Sequence, residues 1–355
     1  MMNEFFKKVA EHNLQKKPFV LYRKPNSNTV IGMFQLNDDL YDVNNFTEKG
    51  FVFASFDGNK IFLIPEYQSE KIEFVWENEA FDSIDNVENV LNTADKEYFE
   101  NLVAKGIQAI ENGIFQKVVL SRKEIIELDD FDLISTFQKM IQSYPAAFVY
   151  CFQHPQIGVW LGATPEQLLK VEGNVIKTMA LAGTQKNTGN EYVEWEDKEK
   201  NEQQFVTDYI VSELGKITES ISISEPRSVR AGNIWHIKTD ISGIIRSDQN
   251  LKEVVELLHP TPAVCGLPKK ESRKFIIENE NYDRSFYTGF LGELNLDTKT
   301  DLFVNLRSME IVIEQLSQKT KANLFIGCGI TKDSIPEKEW EESVNKSITM
   351  KKVLG

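Results

Sequence analysis

The segments AAFVYCFQ (146–153), IGVWLGA (157–163) and VIKTMALAG (175–183) follow one another closely, with turn residues at His154-Pro155 and Gly173-Asn174. All three are rich in β-branched and aromatic residues and read as strands. Neighbouring parallel strands need a crossover of a dozen or more residues, usually a helix. No helical pattern separates these segments. The spacing therefore predicts an antiparallel sheet, which excludes a doubly wound nucleotide-binding architecture as the organising fold.

Helical patterns flank this centre. Phe99, Leu102, Val103, Ile107 and Ile110 recur at helical intervals, and Gly113 is placed to cap the helix end. KVVLSRKEIIEL then reads as a strand, FDLISTFQKMIQSY as a helix stopped by Pro145, and residues 198–218 as a long helix. Further strands are expected at 229–235, 237–245, 290–296, 302–313 and LFIGCGIT, with a last helix from Pro336. Strand runs beside helix runs predict an α+β fold. Residues 1–95 have a different texture. Short strand-like pieces, FVLYR, FVFASF and KIFLIPE, alternate with Asn, Asp, Gly and Pro, and the polar stretch 78–95 reads as a linker or solvated face. The expected division is an N-terminal strand-rich segment, 1–95, completing the fold, and a larger region, 96–355.

An apolar content of 41% over 355 residues suffices for a sizeable core. Forty basic residues against 54 acidic ones leave a net charge of −14, which argues against a general binder of nucleic acid or anionic membrane. A buried site can still hold local positive charge. The three cysteines, Cys151, Cys265 and Cys328, are odd in number and far apart, so they read as small buried hydrophobes in a reducing compartment. The N-terminus lacks the apolar stretch of a secretory signal, and no run approaches the ~18 apolar residues of a membrane span. A soluble, cytoplasmic protein is expected.

Several residues could carry chemistry, each with a plainer alternative. Lys117 shares a strand face with Val119. It is either an edge lysine reaching water or, if the sheet is covered on both sides, a desolvated amine suited to general-base work. Glu166 follows an apolar turn, GATP. It is either a partly buried proton donor or an ordinary first-turn glutamate of a helix begun by Pro165. Glu202 precedes the stripe Phe205, Val206, Tyr209 and Ile210. It is either a buried carboxylate needing a cation or a helix-edge acid. Glu339, Glu342 and Lys346 share one helix face, as an exposed ion-paired surface or as metal carboxylates beside an anion-binding lysine. Gly327-Cys328-Gly329 and Gly183-Thr184 let backbone approach an anion or simply make turns. His236 and Arg307 sit among apolar neighbours, and a buried Arg calls for an anionic partner. No HExxH, GxSxG, Walker or zinc-type pattern appears.

The segments FQKVVLSR, LGATPEQLL, MALAGT, KNEQQFVTDYI, IWHIKTDISG, LHPTPAVCGLPK, FVNLRSMEI, LFIGCGIT and SIPEKEWEES, in this order, resemble the chorismate-utilising enzymes. That family includes isochorismate, salicylate, anthranilate and aminodeoxychorismate synthases. The resemblance is strong over 96–355 and weak before it. It implies an α+β, two-lobed fold of large antiparallel sheets packed face to face with helices outside and the active site in the cleft. It further implies Mg²⁺ as cofactor, held by Glu202 and Glu342 with Glu339 nearby as a water-mediated partner. Chorismate is the implied substrate. Arg307, Lys346 and the backbone at Gly327 and Gly329 would bind its enolpyruvyl carboxylate. Thr184 would contact its carboxylate region, His236 would lie near the ring, and Ala263 would line the pocket.

Within the family, Lys117 matches the lysine that activates water in isochorismate and salicylate synthases. Ala182 stands where aminodeoxychorismate synthases typically carry a lysine. HPTPAVCG resembles the isochorismate synthases, with Val264 where leucine is also common. The resemblance thus implies an isomerase in which Lys117 is the base for water at C2 and Glu166 the acid for the departing C4 hydroxyl. Its product would serve menaquinone or siderophore biosynthesis. A monomer without a glutamine amidotransferase partner is expected. The alternatives are a salicylate synthase, which adds pyruvate elimination, and a non-catalytic chorismate-binding homologue.

Overall fold

The protein is described from a computed structural model covering residues 2–77, 93–186, 192–231, 234–314 and 319–354. The chain begins with α1 (Met2–Leu14), β1 (Phe19–Arg23), β2 (Thr29–Gln35), β3 (Tyr41–Asp42), β4 (Gly50–Ala54), β5 (Ile61–Pro65) and β6 (Ser69–Val75). It continues through α2 (Thr93–Glu111), β7 (Lys117–Leu128), α3 (Leu133–Ser143), β8 (Phe148–His154), β9 (Gly158–Thr164), β10 (Gln167–Glu172), β11 (Val175–Lys186) and α4 (Asp197–Gly215). Then follow β12 (Thr218–Ile223), β13 (Arg227–Ala231), β14 (Ile234–Ile245), α5 (Leu251–Leu258), β15 (Gly266–Leu267) and α6 (Lys269–Asn279). The chain closes with β16 (Phe290–Leu296), β17 (Lys299–Val304), β18 (Ser308–Ile313), β19 (Thr320–Ile330) and α7 (Pro336–Leu354).

These strands form two antiparallel sheets, one of nine strands in the order β15-β7-β19-β18-β9-β8-β1-β2-β6 and one of ten. The second runs β12-β14-β11-β10-β17-β16-β4-β5-β3, with β13 also on β14. An aromatic core lies between the sheets. Tyr22, Phe148, Tyr150, Phe152 and Trp160 of the first meet Phe51, Phe53, Leu291 and Phe303 of the second. Alternation then turns Val149, Cys151 and Leu161 outward, against α1, α3 and the end of α7. The outer face of the second sheet buries Leu169, Ile176, Ala180 and Ile241 under Val206, Ile210 and Leu214 of α4 and Val254 and Val255 of α5. Burial on both faces explains why strands such as β1 and β8 are apolar throughout although antiparallel.

The antiparallel α+β architecture is as the sequence predicts, and β7 spans the predicted segment. Three local expectations change. LGATPEQLL opens no helix: β10 begins at Gln167, so Pro165-Glu166 is a passage between strands. The stretch 302–313 is two strands, because Arg307 takes a positive φ of 50° and breaks the run. The break between β13 and β14 precedes Ile234 rather than falling at His236. Of the polar stretch 78–95, residues 78–92 lie outside the described ones, and Thr93, Ala94 and Asp95 open α2. The N-terminal segment is not all strand, since α1 precedes β1.

Candidate active site

Two passages carry the chain from one sheet to the other, and they lie side by side. The first sheet's β9 pairs with β18, while the second sheet's β10 pairs with β17. Pro165-Glu166 joins β9 to β10, and Asn305-Leu306-Arg307 joins β17 to β18. The backbone stitches the passages together. Val304 N donates to Glu166 O at 2.9 Å, and Ala163 N donates to Arg307 O at 3.0 Å. Asn305, fully buried, accepts from Tyr150 Oη at 2.6 Å and donates to Phe286 O at 2.8 Å. Glu166 and Arg307 are therefore fixed at the seam of the sandwich.

A cavity opens on this seam. Among its lining residues are Glu166, Thr184, Glu202, His236, Ala263, Arg307, Gly327, Gly329 and Lys346. Burial pushes the Glu166 carboxyl up to about 8, and the positive charges of Lys117, Lys346 and Arg307 only partly oppose it. Near pH 7 it is a protonated acid. His236 shows the opposite shift. Burial, then the charges of Arg307 and Lys346, hold its imidazole down at about 3. It is neutral, and its partners set the tautomer: Nδ1–H donates to Gly183 O at 2.9 Å, while Nε2 accepts from Arg307 Nη2 at 2.8 Å. Burial also draws Arg307 down to about 10, so it remains a cation at neutral pH.

The strand β11 breaks register with β14 between Ala182 and Gln185. Gly183 takes a φ of +73° in that bulge, where a Cβ would stand 3.1 Å from Glu199. The bulge turns Thr184 toward the cavity. On the opposite wall, β19 needs its glycines for close approach. A Cβ at Gly327 would meet Tyr287 Oη at 2.8 Å, and one at Gly329 would collide with the Glu202 carboxylate.

Lys117 is not an edge lysine. It is wholly buried, and its Nζ lies 2.9 Å from Glu202 Oε1. Val118 and Leu120 face the helical core of α2, while Val119, on the Lys117 face, lines the cavity. Lys117 itself stands behind Glu202 and Gly329 rather than in the lining. Burial raises Glu202, but Lys117, Lys198 and Lys346 outweigh it, and the carboxyl sits below its ordinary value.

The last helix brings Glu339 and Glu342 inward. Glu339 is 1% exposed, so the reading of an exposed ion-paired face does not hold for it. With Cys328 these residues offer three ligand atoms within 4.8 Å of one another; Glu202 stands outside that group. Burial and the neighbouring Glu342 push Glu339 up to about 7, against the pull of Lys198 and Ser334. Its Oε1 accepts from Lys198 at 2.6 Å, while its buried Oε2, with the Ser334 hydroxyl nearby, makes no hydrogen bond of ordinary geometry among the described residues. Glu342 pairs with Lys346 at 2.7 Å, and Lys346 also donates to Gly327 O at 3.0 Å. Burial holds the Cys328 thiol protonated, and it donates to Glu339 O at 3.3 Å. The donor set for a cation is thus carboxylate oxygen, which fits a hard divalent ion such as Mg²⁺. All three cysteines are free and buried.

Two neighbours escape a reading of the sequence. Lys198 lies one helical turn before Glu202, a spacing that could have flagged it. Tyr287, in the lining, carries no local signal, because only the fold of the loop before β16 brings it to β19.

The fold is that of solved chorismate enzymes. A protein assigned as the 2,3-dihydroxybenzoate-specific isochorismate synthase DhbC of Bacillus anthracis superposes with a TM-score of 0.78 at 22% identity, over 96% of this chain and 97% of that one. MenF, the menaquinone-specific isochorismate synthase of Escherichia coli, gives 0.77 at 20% identity, over 95% and 89%. The sequence pattern described as "Chorismate binding enzyme" matches residues 61–355, and the chain belongs to that family. It is 28% identical to anthranilate synthase component 1 of Lactococcus lactis over 75% of this chain and 59% of that protein. It is also 28% identical to isochorismate synthase EntC of E. coli K12, over 72% and 67%. The matched part thus spans about three fifths to two thirds of these relatives. Among the described residues, no helix is long and apolar enough to cross a membrane.

Proposed function

We propose that this protein is an isochorismate synthase, converting chorismate to isochorismate with Mg²⁺. The observation that carries the reading is the pair of Lys117 and Glu166. A carboxyl still protonated near neutrality lines the cleft, and a buried amine stands behind Glu202 in its wall. Exchange of a ring hydroxyl needs such a base and such an acid. In this reading Lys117 gives up its pairing with Glu202 and, shed of its proton as the cleft closes over substrate, takes a proton from water as the water oxygen bonds to C2. Both ring double bonds shift, the C4–O bond breaks, and Glu166 protonates the departing hydroxyl. One water enters and one leaves, so the net reaction is an isomerisation. Proton return from Lys117 to Glu166 through solvent resets the site.

Arg307 and Lys346 would hold the enolpyruvyl carboxylate with the backbone at Gly327 and Gly329, and Thr184 the carboxylate region. Neutral His236 would keep the Arg307 guanidinium aimed while adding no charge of its own near the ring. Glu202, Glu342 and Glu339 would hold Mg²⁺, which supplies charge neutralisation and orientation of the substrate carboxylate. Local cations in the cleft explain how a chain of net charge −14 could accept a dianion. With water as nucleophile no ammonia-delivering partner is needed, and a cytoplasmic monomer suffices.

The similarity to anthranilate synthase leaves a lyase as the rival. Purified protein with chorismate, Mg²⁺ and ammonium, followed by mass spectrometry, should yield isochorismate alone. Anthranilate, or salicylate with pyruvate, would overturn the proposal. Lys117→Ala should lower isochorismate formation by at least about a thousandfold.

A further inference from the structure

Each of the three metal-facing carboxylates carries its own lysine: Lys117 on Glu202, Lys346 on Glu342 and Lys198 on Glu339. Each carboxylate is thus already engaged by a lysine nitrogen. A divalent cation cannot take its place among the carboxylates without weakening at least one pair.

The three lysines differ in what else holds them. Lys117 has no solvent exposure. Lys346 is tied to Gly327 O as well as to Glu342. Lys198 reaches Glu339 from the first turn of α4, and its side chain is 23% exposed. It also borders a second cavity, which shares no lining residue with the substrate cleft. Gln116, Asn201, Phe205, Thr331 and Lys332 line that cavity with it. A lysine on a flexible four-carbon stem can swing into that space at little cost.

We propose that Lys198 is a displaceable counter-ion for the metal centre. Its ammonium occupies Glu339 until a divalent ion arrives, then leaves toward the outer cavity. Oε2 of Glu339, without a hydrogen bond among the described residues, is the open acceptor beside it. Lys198 therefore lowers affinity for metal alone while giving buried Glu339 a cation of its own beside the partly exposed Glu342. The inference rests on the carboxylates being metal ligands, as proposed above.

Mn²⁺ titration of the full chain without chorismate, by calorimetry or electron paramagnetic resonance, tests it. Lys198→Gln should bind Mn²⁺ about fivefold more tightly than wild type. In a Glu339→Gln background the same change should have no effect. Lys198→Arg, which grips a carboxylate with two donors, should bind about threefold more weakly. A purely structural lysine would instead weaken binding in both variants. Unchanged or weaker binding by a Lys198→Gln protein with a native-like melt overturns the inference. If that variant does not fold, Lys198→Arg binding as tightly as wild type overturns it. Absence of Mn²⁺ binding by wild type overturns the metal reading and this inference together, whereas normal wild-type binding with unresponsive variants overturns this inference alone.

Discussion

Glu166 illustrates how one residue's chemistry depends on where the chain puts it. In sequence it follows GATP and could begin a helix; in the fold it is wedged at the seam with its carboxyl raised to about 8. An acid raised in the folded state costs nothing below its unfolded value. The cost grows from about pH 4.5 and is complete above about pH 8. Glu166→Gln removes the ionisable group without changing its shape. Thermal melts of the free protein should show the variant gaining stability over wild type as pH rises through that window. The gain should be on the order of 5 kcal/mol at pH 9 and near zero at pH 4. Equal melting behaviour at both pH values would mean that the carboxyl ionises freely. The same ionisation should cut turnover as pH passes about 8, since a carboxylate cannot protonate the leaving group.

At the scale of elements, the site depends on two strand passages, one bulge and one glycine-bearing strand. Lys117, Val119 and the extent of β7 were legible because alternation fixes which side chains share a face. Glu342 and Lys346 were legible as one face of α7. The passages were not. Nothing in FVNLRSMEI marks Arg307 as the residue that breaks the strand, because its positive φ is imposed by the pairing of β9 with β18 and β10 with β17. The glycines of β19 allow a direct check. Gly329→Ala would press a methyl against the Glu202 carboxylate and, 3.2 Å away, Lys117 Cε. The carboxylate must turn off Lys117, so activity should fall at least about tenfold while stability drops by only about 1–2 kcal/mol. An active Gly329→Ala enzyme would show that the Glu202–Lys117 contact is dispensable.

For the whole molecule, the N-terminal strands are structural members of both sheets. β1 pairs with β8, and β4 pairs with β16. A chain beginning at Thr93 would leave β8 and β16 as open edges and strip Tyr22, Phe51 and Phe53 from the aromatic core. It should be insoluble or melt without cooperativity, judged by size-exclusion chromatography and thermal unfolding. A soluble, cooperatively melting fragment would establish the larger region as independent.

The sequence by itself determined the antiparallel α+β class, most element positions and the inventory of reactive side chains, because strand and helix periods and turn residues are local properties. Which of those side chains share a cleft was decided only by the tertiary structure. Glu166 from a passage after β9, Glu202 from α4, Lys117 from β7 and Lys346 from α7 lie far apart along the chain. They meet only where two sheets close over one core. The shifts of Glu166, Glu202 and Lys346 follow from that closure, since burial and neighbouring charge exist for a side chain only once the surrounding elements are in place.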